Sequence, residues 1–90
     1  MKPFWDIYQS VQTDYQKKYS KLDKQIRILV SIFIYQLSLE HEPELFPHVF
    51  FCHEEGACSF RIGNIRILFK TEIIDLDTYK SRTIHLIDVI

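Results

Sequence analysis

One run constrains this chain more than any other: Ser59-Phe60-Arg61-Ile62-Gly63-Asn64-Ile65-Arg66-Ile67-Leu68-Phe69. Gly-Asn is a dipeptide that closes a two-residue β-hairpin, and β-branched and aromatic residues flank it on both sides. A two-residue loop pairs Ile62 with Ile65, Arg61 with Arg66, Phe60 with Ile67 and Ser59 with Leu68. Opposed residues share a face, and faces alternate along each strand. One face therefore carries Cys58, Phe60, Ile62, Ile65, Ile67 and Phe69, which makes it a core face. The other carries Ser59, Arg61, Arg66, Leu68 and Lys70. It sets two arginines against each other, and like charges directly opposite destabilise a sheet by up to about 1 kcal/mol. Three readings are open: a carboxylate lies between the arginines, both splay into water, or the pair holds an anion. Phosphate suits a guanidinium fork.

The segments before the hairpin read as a strand and two helices. Phe4-Trp5-Asp6-Ile7-Tyr8 has the composition of a first or edge strand, with Trp5 and Ile7 on one face; a helix running on from Trp5 is the competing reading. Ser10 or Thr13 can cap a first helix, whose stripe is Val11, Tyr15, Lys18, Tyr19 and Leu22, with Gln12 on the polar side. Asp23 can cap a second, from Lys24 to about Glu40, where Ile26, Leu29, Val30, Phe33 and Leu37 give the helical spacing. Its β-branched isoleucines leave a strand reading open, and length favours helix. Ile28, Ile32, Tyr35 and Leu39 add apolar surface around it. A 90-residue domain seldom surrounds one helix, so this surface predicts a partner chain or self-association as a homodimer.

Pro43 ends that helix. His48-Val49-Phe50-Phe51-Cys52-His53 reads as a strand, Glu54-Glu55-Gly56-Ala57 as a turn with Gly56 in a left-handed position. After Phe69 the strand is expected to fade through Lys70 to Ile73, and Asp75 to Lys80 reads as a polar connection. Ser81 to Ile90 forms a last strand, with Ile84 and Leu86 on one face and Thr83, His85, Ile87 and Val89 on the other. The result is an α+β domain spanning residues 1–90, with two helices on one face of an antiparallel sheet. The arginine face is then the outer face.

With 47% apolar residues the chain can fill a core, and a net charge of −1 makes any nucleic-acid-binding surface a local one. No secretory signal is visible at Met1-Lys2-Pro3-Phe4, and Ile28 to Leu39 is too short to span a bilayer, so a cytoplasmic chain without a membrane role is expected. Cys52, Cys58, His41, His48 and His53 are of zinc-binding types, but their spacing matches no standard site, and no metal or other cofactor is expected.

The hairpin run resembles the RelE/ParE-type toxins of bacterial toxin–antitoxin systems. Their pattern has an arginine before the glycine, another three residues after it and a closing aromatic, matched here by Arg61, Gly63, Arg66 and Phe69. One arginine position of the family is Ser59 here, and the short basic and aromatic tail that follows the family's last strand has no counterpart in a sequence that closes on Asp88-Val89-Ile90. The resemblance implies an N-terminal strand, a two-helix hairpin and an antiparallel β-meander packed on the helices. It implies an antitoxin partner that wraps helices and sheet, and a metal-independent mRNA endoribonuclease acting on ribosome-bound message. On that basis Arg66 stabilises the transition state, Arg61 is the second phosphate ligand, and Lys70, Ser59 and Arg82 extend the substrate-binding strip. His85 is the candidate for proton transfer, since its ordinary pKa near 6.5 suits the task. Tyr79 is a second proton donor to consider. The resemblance leaves two other outcomes: a ParE-like toxin that binds DNA gyrase and cleaves nothing, and an inactive relative kept for protein–protein contact.

Overall fold

The computed structural model describes residues 3–10, 13–52 and 56–90. Val11 and Gln12 of the first helical stripe, and His53-Glu54-Glu55 of the expected strand and turn, lie outside the described residues. Five strands form one sheet: β1 (Asp6–Gln9), β2 (Phe50–Cys52), β3 (Ala57–Ile62), β4 (Ile65–Asp75) and β5 (Lys80–Val89). Their order is β1-β5-β4-β3-β2. Helices α1 (Tyr15–Ser20) and α2 (Lys24–Ser38) lie between β1 and β2 in the chain. Strands β2 to β5 form the expected antiparallel meander, but β1 joins β5 in parallel, so the sheet is mixed.

The β3–β4 hairpin has the register that its two-residue loop dictates, with Ile62 opposite Ile65 and Arg61 opposite Arg66. Gly63 takes φ +59° and no other residue of the turn has a positive φ, the pattern of a turn with glycine in its first central position. Phe60, Ile67 and Phe69 are fully buried against α2, and the ring of Phe33 stacks on Phe60 at 4.2 Å.

Helix α2 starts where the Asp23 carboxylate accepts the Gln25 N–H at 3.0 Å. Its buried stripe is Val30, Ile34 and Leu37, flanked by Ile26 and Phe33. Leu29, expected in that stripe, is half exposed, because the sheet covers only one side of the helix. Helix α1 is shorter than its stripe suggested. The Ser10 N–H extends the β1–β5 pairing to Leu86 O, and α1 begins after Asp14, where Thr13 Oγ1 accepts the Tyr15 N–H at 3.4 Å and donates to Ile87 O.

Trp5 precedes β1 and is buried, donating from Nε1 to Glu40 O at 2.7 Å. Ile7 lines the same groove toward α2 but is 41% exposed, because no element covers this side of the edge strand. Two other expectations fail at the far strands. Strand β4 does not fade after Phe69 but runs on to Asp75, paired along its length with β5 as far as Lys80. A bulge between Leu68 and Phe69 skips Ile87, so the faces of β5 exchange beyond it. Val89 therefore turns into the core opposite Ile67 instead of sharing a face with His85.

Candidate functional site

The outer face of the sheet is built in rows by the strand register. In the row next to the hairpin turn Arg61 stands opposite Arg66, both exposed. Arg61 Nε donates to Gly63 O at 3.3 Å, which leans its guanidinium over the turn. Among the described residues no carboxylate lies within 4.0 Å of either arginine. The backbone of Arg66 is held on its other side by Ile90, with N–H to O bonds of 2.8 Å in both directions. Arg66 thus sits in a three-stranded stretch of sheet, not at a frayed end.

Lys70 lies four residues farther along β4, about 13 Å from Arg66, directly opposite His85. Ile84 and Leu86 are buried, so His85 faces outward, on the side of the arginines. Its Nε2 lies 3.4 Å from Glu72 Oε1, and the edge of its ring meets Tyr8 at 5.5 Å between centroids. The outer face therefore holds two groups: an arginine pair at the turn, and Lys70, His85, Glu72 and Tyr8 farther along. Ser59 lies opposite Leu68, on the arginine face and partly buried.

Arg82 is not brought to this surface. It pairs with Ile73 and has the strand parity of Ile84, which turns it to the helix side. Tyr79 is exposed in the β4–β5 turn, whose backbone it closes through Leu76. Glu72 and Tyr8 were not singled out from the sequence. Glu72 has the parity of Lys70 and could have been found by carrying the strand past Phe69. Tyr8 reaches His85 only because β1 docks in parallel on β5, which no local pattern signals.

The described residues hold no cluster of three or more His, Cys, Asp or Glu suited to a metal. Cys58 is buried on the core face, where burial, with a smaller effect from Glu44, pushes its thiol up to about 11. It packs as a small hydrophobe. His41 lies against the Phe4 ring at 4.2 Å.

No protein-family model matches the sequence, and no curated protein matches it. Among solved structures, a chain of the toxin–antitoxin complex RelBE2 from Mycobacterium tuberculosis is similar, with a TM-score of 0.65 and 21% identity. The match covers 98% of this chain and 96% of that one. The two chains share a fold over nearly their whole lengths. At this identity the likeness is one of architecture, and the chemistry must be argued from the side chains present. Among the described residues no helix is long and apolar enough to cross a membrane.

Proposed function

We propose that this chain is the toxin of a type II toxin–antitoxin pair and that it cleaves messenger RNA. The observation that carries the reading is the opposed, carboxylate-free pair Arg61 and Arg66 on the outer face, with His85 on the same face. In such a cleavage the 2′-hydroxyl attacks the neighbouring phosphorus and the bond to the 5′-oxygen breaks. Charge builds on the phosphoryl oxygens, and two guanidinium forks aimed there stabilise it without a metal. His85 can move a proton at either step, with Nε2 oriented by Glu72. Lys70 adds a positive charge beside it, and Ser59 offers a hydroxyl within the strip.

The antitoxin would cover α2. Ile28, Leu29, Ile32 and Tyr35 are 48–51% exposed and form an apolar ridge that the chain leaves uncovered. The fold match to a chain of a toxin–antitoxin complex supports the same assignment.

One observation favours the gyrase-binding alternative. The arginine row and the Lys70–His85 row stand about 13 Å apart along the backbone, a spacing that serves a binding face without requiring both groups to meet at one phosphate. The two readings part in one experiment. Ribosomes and message are incubated with the chain and RNA ends are mapped. New ends that disappear in Arg66→Ala, with a rate loss on the order of 100-fold or more, establish the nuclease. Intact message together with blocked DNA supercoiling establishes the gyrase reading.

A further inference from the structure

The cations of this chain are unevenly placed. Lys17, Lys18, Lys21, Lys24 and Arg27 fall within eleven consecutive residues of the α1–α2 segment. That segment is a neighbour of the hairpin turn: a Cβ added at Gly63 would stand 3.5 Å from Ile26 Cδ1. A second tie runs from Lys18 Nζ to Asp88 Oδ1 at 3.0 Å, two residues before Ile90, whose backbone brackets Arg66. The α1–α2 turn and the arginine pair therefore meet at one end of the domain.

The carboxylates at this end are engaged or few. Asp23 caps α2 and Asp88 is held by Lys18 and by the Val89 N–H, which leaves Asp14. Lys17, Lys21 and Lys24 are exposed, and none has a carboxylate within 4.0 Å among the described residues. Arg27 Nε is buried with no acceptor among the described residues. The acidic residues Glu40, Glu42, Asp75 and Asp77 lie at or beyond the ends of α2 and β4 that point away from the hairpin turn. The eleven-residue β4 sets the two ends of the sheet about 34 Å apart.

We propose that the α1–α2 turn is a second phosphate-backbone contact. An RNA strand held at Arg61 and Arg66 continues over the hairpin end onto Lys17, Lys21, Lys24 and Arg27. Single exposed lysines are mobile point charges, which suit a backbone whose charge repeats along its length. The contact serves affinity and register and reads no base. The arginines lie on the outer face of the sheet and the lysines on the helix layer behind it, so an RNA must be several nucleotides long to engage both. The proposal rests on reading the arginine pair as a phosphate site and does not require that cleavage occurs there.

The test uses fluorescent 2′-O-methyl RNA, which has no attacking hydroxyl, in lengths of about four and about sixteen nucleotides over a range of salt. The longer RNA is expected to bind at least tenfold more tightly and with the steeper salt dependence. The triple variant Lys17→Gln/Lys21→Gln/Lys24→Gln should lower the slope of log affinity against log salt by about two for the longer RNA only. Lys21→Gln alone should lower it by about 0.7. Arg66→Ala should weaken both lengths. Equal affinity for both lengths would overturn the proposal, as would a triple variant that binds the longer RNA like the parent. So would a polyglutamate peptide that binds the parent more tightly than the RNA does. Cleavage of unmodified message on ribosomes is scored separately, so loss of the nuclease reading and loss of this contact are distinct results.

Discussion

Gly63 holds φ at +59°, and the whole arginine row depends on the two-residue turn that this conformation allows. A Cβ there would meet only Ile26 Cδ1, at ordinary contact distance, so the cost of Gly63→Ala is backbone strain and not collision. The expected loss is about 1–2 kcal/mol, read as a lower urea midpoint at unchanged slope. Cys58 gives a residue-scale expectation in pH. Its thiol is pushed up to about 11 from an ordinary value of 9.0, chiefly by burial. Because the folded pKa is raised, the stabilising effect is complete below the unfolded value and is lost as pH rises through the folded one. Stability should therefore fall between about pH 9 and about pH 11, and Cys58 should resist alkylation at pH 8 until the chain unfolds. Urea midpoints across that range and residue-resolved mass spectrometry check both.

The elements show what local sequence could and could not convey. The hairpin, its register and the capped helix α2 are legible because each is set by neighbours in the chain: Gly63-Asn64 for the turn, Asp23 for the cap, a helical stripe for the buried side. The arginine face was legible for the same reason. What escaped was set by distant pairing. The Ile87 bulge that turns Val89 inward arises only where β4 meets β5, whereas the side taken by Arg82 was legible, since it shares the parity of Ile84 and Leu86. Helix α2 also carries an expectation of its own. Leu29 and Ile32 are half exposed on its uncovered side, so Leu29→Gln and Ile32→Gln should leave the urea midpoint nearly unchanged. If an antitoxin covers this ridge, the pair of changes should weaken that complex by at least tenfold, as measured by calorimetry with the two purified chains. A complex of unchanged affinity would place the antitoxin elsewhere.

At the scale of the molecule, strand order matters as much as strand content. Residues 6–9 lie beside residues 83–86, and the Trp5 indole is locked to the end of α2, so the first strand closes against the last. Such pairing is slow to form, because almost the full length of chain must be gathered before the contact exists. During synthesis the first strand is left waiting while every other element emerges, and Tyr8 meets His85 only at the final docking step. A nascent chain whose residues 80–89 are still within the exit tunnel cannot assemble this face. Whatever the face acts upon, it does so only once residues 80–89 have left the ribosome.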